Sequence, residues 1–203
     1  MQIVKAGAVL EWITPNPLQV IEAAGRVCYK SEDQIKADSA AEFVEKIIGR
    51  GHEAVIEHAS ASFRIVTDRG ITHEIVRHRL ASYCQESTRY CNYAGERFGG
   101  EISVIMPPML EVPSYAYSAW RRSCLAAEKA YFEMLELGCP PQIARSVLPT
   151  CLKTEIVMTA NFREWRHFLR MRVAKAAHPQ IREIANQIWS ILREQVPPVF
   201  TSL

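Results

Sequence analysis

Three arginines, a histidine, two serines and two tyrosines stand within fourteen residues, Arg77 through Tyr90, reading RHRLASYCQESTRY. No apolar period of two or 3.6 accounts for this density of donors. A guanidinium presents a rigid planar fork of N–H groups that matches a phosphate or a carbonyl edge. Serine hydroxyls and main-chain N–H groups complete a cradle around the same anion. An isolated RHR is most often a solvated basic loop. Here Ser87, Arg89 and Tyr90 follow with little acid to balance them, which points to a pocket for a small phosphorylated ligand.

The elements that must position this stretch are legible in outline. Ile3 to Trp12 reads as a first strand, and Asn16-Pro17 as a helix start with an N-cap and proline at the first position. Ser39-Ala40-Ala41-Glu42 has the form of a capping box, with Phe43, Ile47 and Ile48 as its apolar stripe. Residues 59–67 alternate apolar and polar, predicting a half-buried strand, and Asp68-Arg69-Gly70 predicts a turn. A helix from Thr72 would then deliver Arg77 and Arg79 at its end. Further on come a short strand from Ile102 to Met106 and a long helix from Ser114 to Leu137. One short helix from Gln142 to Leu148 bears Arg145. A strand from Thr154 to Ala160, a helix capped by Asn161 and a last helix from Pro179 to Gln195 complete the chain. Strands mixed with helices in no βαβ rhythm predict one α+β domain over residues 1–203, a mostly antiparallel sheet flanked by helices.

Composition narrows the class. With 203 residues, 48% hydrophobic and 23% charged, the chain is an ordinary globular sequence able to bury a core. The N-terminus lacks a signal-peptide layout and no run is long enough to span a bilayer, so no membrane partner and a cytoplasmic location are expected. A net charge of +2 shows no basic excess of the kind that nucleic-acid binders carry. The six cysteines form no CxxC pair and read as free thiols. A metal is not expected either: His52 and His58 frame an HE…EH stretch, but a zinc HExxH needs its histidines four apart on one helical face.

The pattern R-H-R-x7-S, continued as S-x-R-Y, resembles the signature of flavin-dependent thymidylate synthases, with matching residues from about His52 to Arg172. The resemblance implies methylation of dUMP with FAD as cofactor, 5,10-methylenetetrahydrofolate as one-carbon donor and NADPH as reductant. It also implies a homotetramer in which several subunits clamp the flavin, since no GxGxxG is present. By the same match, Arg77, His78 and Arg79 contact the flavin, as do Asn161, Phe162 and Arg163. His52 and Glu57 lie near its reactive ring. Gln85, Glu86, Ser87, Thr88 and Arg89 form the segment that holds dUMP, with Gln85 shared with the cofactor and Arg77 facing both. Arg145 reaches the phosphate and Arg172 the uracil. Three positions depart from the common pattern: Ala54 replaces a Thr or Ser at the FAD, Glu74 a Gln at the uracil, and His167 an Asn near the adenine half.

The chemical difficulty is that C5 of uracil is a poor nucleophile. One solution is cysteine attack at C6, which needs an activated thiolate; the Pro-Cys context of that solution is missing, although Cys84 lies in the motif. The other is electrostatic, with a guanidinium stabilising charge on the base so that C5 gains electron density. Arg172 is the candidate donor, with His52 and Ser87 beside it in the catalytic set; Ser87 has no neighbouring histidine and orients rather than attacks. Ordinary readings stand alongside: Arg163, Arg166 and Arg170 as a solvated helix face, Asn161 as an N-cap, His52 and His58 as hydrogen-bonded histidines, and Tyr83 and Tyr90 as core. The rival functions are hydroxymethylation of a pyrimidine nucleotide, suggested by Glu74, and a non-catalytic nucleotide- or RNA-binding module.

Overall fold

A computed structural model describes residues 1–203. The strands are β1 (Gln2–Val4), β2 (Gly7–Ile13), β3 (Ser60–Asp68), β4 (Ala81–Gln85), β5 (Ser103–Ile105) and β6 (Lys153–Asn161). The helices are α1 (Pro17–Val27), α2 (Ser39–Gly49), α3 (Arg69–Ile75), α4 (Tyr115–Glu136), α5 (Pro141–Ala144), α6 (Phe162–Arg172), α7 (Pro179–Gln195) and α8 (Pro197–Phe200). Strands β1 and β5 pair in parallel, Ile3 opposite Val104. The other four form a sheet in the order β2-β3-β6-β4. The bonds Thr14 N to Ser60 O (2.9 Å) and Phe162 N to Ala59 O (2.9 Å), with Thr159 Oγ1 to Ser62 Oγ (2.8 Å), fix antiparallel registers for β2–β3 and β3–β6. The fold is α+β, and no helix is long and apolar enough to cross a membrane.

The chain packs as two compact units. The first comprises Met1–Gly7, Val66–Arg77 and Cys84–Ile156; the second comprises Ala8–Ile65, His78–Tyr83 and Val157–Leu203. In the first, Tyr93, Ile102, Val104, Cys124, Tyr131, Ala144 and Leu152 form the core. In the second, α6 turns Phe162, Trp165, Phe168 and Leu169 inward, all fully buried, and α7 does the same with Ile181, Ile184, Ile188 and Leu192. The Trp165 ring meets Phe63 edge-on at 5.1 Å and its N–H donates to the Ala61 carbonyl at 3.0 Å, so burial of the indole leaves no orphan donor. Burial of side chains of this size contributes about 1.5–3 kcal/mol each, so α6 is held firmly at its apolar face.

Several expectations about the elements are corrected. The first strand is two, β1 and β2, broken at Lys5-Ala6. Asn16 adopts the left-handed region (φ 47°) and makes no side-chain cap. Ser39 is the first residue of α2 rather than its cap, because its hydroxyl binds the buried Glu22 carboxylate at 2.8 Å. Asp68 does not turn the chain: its carboxylate accepts from Ile71 N at 2.8 Å and starts α3 at Arg69. That helix ends at Ile75, so Arg77 and Arg79 follow it rather than close it. Residues 142–148 are not one helix; α5 stops at Ala144 and Arg145 begins a 3-10 turn to Val147.

Candidate active site

The first unit holds a cationic cavity. Because Asp68 starts the helix three residues earlier than the sequence suggests, Arg69 and His73 fall one helical turn apart on α3 and face the same way. They line a cavity of about 300 Å³ with Thr88, Arg145, Ser146 and Thr150. Arg145 Nη1 donates to the Thr88 hydroxyl at 3.3 Å, and Arg69 Nη1 to the Glu86 carbonyl at 3.3 Å. Next to them a turn brings Cys91 N onto Ser87 O at 2.8 Å, while Arg89 N donates to Ser87 Oγ at 3.3 Å. Arg89 Nε is steadied by Gln142 at 3.1 Å. Arg145, Arg89, Ser87 and Thr88, all singled out from sequence, are thus gathered in one unit; Arg69 and His73 were missed because residues 68–70 read as a turn.

Two residues of the same segment turn their side chains elsewhere. The Gln85 amide donates to Thr72 Oγ1 at 3.0 Å and Thr154 Oγ1 at 3.3 Å. The Glu86 carboxylate accepts from Tyr93 O–H at 3.0 Å and from Lys153 Nζ at 3.1 Å, facing a second cavity of about 400 Å³. Burial, reinforced by Glu86, pushes the Tyr93 hydroxyl well above its ordinary range, so it is a fixed donor. Glu74 is half-buried on α3 and engaged in a polar interaction. Arg77 is exposed, its N–H on the Glu74 carbonyl at 3.3 Å.

The second unit carries the residues matched to the flavin except Arg77 and Gln85, which belong to the first. Asn161 Oδ1 accepts from Glu164 N at 2.9 Å, the N-cap that starts α6. From that start the helix sends Arg163, Glu164, His167 and Arg170 into a cavity of about 550 Å³, closed by Glu53, Glu57 and Leu80. Glu57 pairs with Arg163 at 2.6 Å, and Glu53 with Arg166 at 3.2 Å and Arg170 at 2.5 Å. The hydrogen bond from Arg170, outweighing burial, holds the Glu53 carboxyl below its ordinary value. Arg166 is not part of a solvated face: it is buried and also donates to the carbonyls of Val199 and Ser202. His52, Ala54 and Arg79 are exposed.

At the end of α6 the half-buried Arg172 donates from Nε to His78 Nε2 at 3.0 Å. The other ring nitrogen of His78, Nδ1, stands 3.2 Å from Glu164 Oε1. Tyr83 O–H donates to the His78 carbonyl at 2.6 Å, fixing its backbone. Burial, with Arg172 and His167 alongside, lowers the His78 pKa to about 4, so the ring is neutral at neutral pH. Burial likewise raises the Glu164 carboxyl, against the pull of His167. Glu164, three residues after the Asn161 cap, is the third residue of these clusters, with Arg69 and His73, that the sequence reading passed over, although N-x-x-E is itself a capping signal.

A cavity lined by two guanidinium groups and several hydroxyls has the donors that a small anion requires. A model of the thymidylate synthase complementing protein family matches residues 9–198. A flavin-dependent thymidylate synthase of Geobacter sulfurreducens is 32% identical over 194 residues, 92% of this chain and 82% of that one. One from Pyrococcus abyssi is 35% identical over 188 residues, 89% and 75% of the two chains. Among solved structures, the UMP/dUMP methylase PolB of Streptomyces cacaoi, bound with 5-Br dUMP, shares the fold with a TM-score of 0.80 over 99% of this chain and 96% of that one, at 23% identity. The chain belongs to the flavin-dependent thymidylate synthase family of enzymes.

Proposed function

We propose that the protein methylates dUMP to dTMP with FAD, taking the one-carbon unit from 5,10-methylenetetrahydrofolate and reducing equivalents from NADPH, with all 203 residues serving as one catalytic domain. Its relatives, flavin-dependent thymidylate synthases, support the flavin and the thymidylate product. Its structural neighbour, a UMP/dUMP methylase bound with 5-Br dUMP, supports a uridine nucleotide as substrate. The residues of the second unit suit a dinucleotide: Arg163 offers a guanidinium to a pyrophosphate, His167 a ring to stack, and Leu80, 76% exposed, an apolar wall. Reduced flavin, when bound, supplies the hydride and relays the one-carbon unit. The reading includes a homotetramer with sites completed by neighbouring copies, for which exposed Tyr90, Met109, Val112 and Tyr115 provide apolar surface.

Each protein group then has a task. Arg145, Arg89, Arg69 and His73 hold the phosphate dianion, with Ser87 and Thr88 as neutral donors. Arg172 binds a uracil carbonyl edge-on. As C5 attacks the one-carbon unit, charge shifts on the base, and a donor aimed at that oxygen strengthens in the transition state. His52, exposed ahead of the Glu57 turn, is assigned a place beside the flavin's reactive ring. No thiol attack is needed.

The observation that carries this reading is the 3.0 Å bond that fixes Arg172 on His78. The test is single-turnover conversion of dUMP at saturating nucleotide and folate, with flavin reduced beforehand and the product identified by mass. Arg172→Ala should lose on the order of a hundredfold in rate, by analogy with deletion of an oxyanion donor. Lysine at that position should restore only part, since a point charge lacks the fork. A wild-type rate in Arg172→Ala would overturn the mechanism.

A further inference from the structure

Arg172 is worth most if its guanidinium plane is set before the base arrives, and the structure contains a device that sets it. Arg172 Nε is a donor under all conditions, since arginine does not lose its proton in proteins. Its partner, His78 Nε2 at 3.0 Å, must therefore present a lone pair. An imidazole keeps at least one ring proton, so that proton is on Nδ1, the atom facing Glu164 Oε1 at 3.2 Å. The order of donors runs one way: His78 Nδ1–H to Glu164, and Arg172 Nε–H to His78 Nε2. Glu164 and His78 are 6% and 2% exposed at the side chain, so the bond between them does not compete with water. The Phe168 ring meets His78 edge-on at 4.9 Å and prevents the imidazole from swinging away.

Helix α6 also brings His167 close, and ligand atoms of His78, Glu164 and His167 lie within 4.8 Å of one another, a spacing a metal ion accepts. The Arg172 bond decides against that use. It forces the proton onto His78 Nδ1, beside Glu164, and it places a permanent cation on Nε2.

We propose that Glu164 is a positioning residue for the reaction: by holding the Nδ1–H tautomer of His78, it makes His78 Nε2 the fixed acceptor that orients Arg172 toward the base. This rests on the reading of Arg172 as the donor to uracil. Glu164 acts through His78, whose Nδ1 it faces. Without Glu164 the ring can flip tautomer, after which Nε2–H and Arg172 Nε–H would point at each other and the arginine must move. A misplacement of about 1 Å costs up to about a hundredfold in rate.

The experiment combines rate with a direct view of the tautomer. Histidine ring nitrogens of the flavin-loaded protein, labelled with 15N, are observed by long-range proton–nitrogen correlation in the wild type, Glu164→Gln and Glu164→Leu; His78→Gln assigns the signal. Single-turnover rates with flavin reduced beforehand, and the Kd of dUMP, are measured on the same samples and on Arg172→Ala. The wild type should show a protonated Nδ1 and a bare Nε2 at His78. Glu164→Gln, whose amide oxygen still accepts from Nδ1–H, should keep that pattern and a rate within about threefold of wild type. Glu164→Leu should mix the tautomers and slow the reaction about tenfold to a hundredfold, with dUMP affinity unchanged. An Nε2–H tautomer in the wild type overturns the proposal, and decides it alone if Glu164→Leu does not fold. So does a wild-type rate in Glu164→Leu while Arg172→Ala is slow. A wild-type rate in Arg172→Ala instead overturns the underlying role of Arg172.

Discussion

A buried histidine that stays neutral leaves a mark on stability that is measurable without substrate. His78 has an ordinary pKa of 6.5 when unfolded and about 4 when folded, the cause being burial first and the charges of Arg172 and His167 second. Between those values the unfolded chain takes up a proton that the folded chain refuses. Stability is therefore highest above pH 6.5 and falls as the pH drops toward 4. At 1.36 kcal/mol per pKa unit the full effect is roughly 3 kcal/mol, of which roughly 2 is lost between pH 7 and pH 5. Glu164 works in the opposite sense: its carboxyl is raised by burial, so above pH 4.5 the folded state holds its proton longer and loses stability as pH rises. The net slope is smaller than His78 alone would give. His78→Gln isolates the histidine, because a glutamine oxygen still accepts from Arg172 and does not titrate. Urea-unfolding curves at fixed protein concentration, from pH 8 to pH 4.5, should show a wild-type decline that the variant lacks. Parallel pH profiles for the two proteins, or a His78 signal titrating near 6.5 by NMR, would refute the reasoning.

Arg145→Ala removes a charged hydrogen-bond donor from the cavity proposed for the phosphate and should weaken dUMP binding about tenfold to a hundredfold, with kcat nearly unchanged, as calorimetry and steady-state kinetics would record. Cys84 is exposed on β4, so Cys84→Ser should retain most dTMP synthesis; loss of turnover with both ligands still bound would restore a covalent mechanism. Asn161→Ala should lower unfolding free energy by about 1 kcal/mol through the lost cap, read from thermal or urea denaturation.

Local chemistry that needs only neighbouring residues was readable from the sequence. Ser114 and Asn161 each cap the helix they announce, accepting from Tyr117 N and Glu164 N. Strand β6 alternates as expected, with Thr154, Ile156, Met158 and Ala160 buried. Where a distant partner competes, the local signal loses. Ser39 forgoes its cap for Glu22, seventeen residues away. Strand β4 is invisible as a pattern because its residues mix polar and apolar without alternation; its place beside β6 makes it a strand. His78 and Arg172 were singled out separately, yet they meet across 94 residues, and Glu164 joins them across 86. Sequence spacing carries no trace of that triad.

The division of the chain into two compact units bears on how such a protein is inherited. The boundaries fall at 7/8, 65/66, 77/78, 83/84 and 156/157, so neither unit is a continuous stretch of chain. One of them separates Arg77 from His78, inside the arginine-histidine-arginine triplet itself. No single recombination or truncation therefore delivers the residues proposed for the phosphate without those proposed for the flavin, or the reverse. The two halves of the chemistry travel as one gene segment, open to change by substitution and closed to exchange by shuffling.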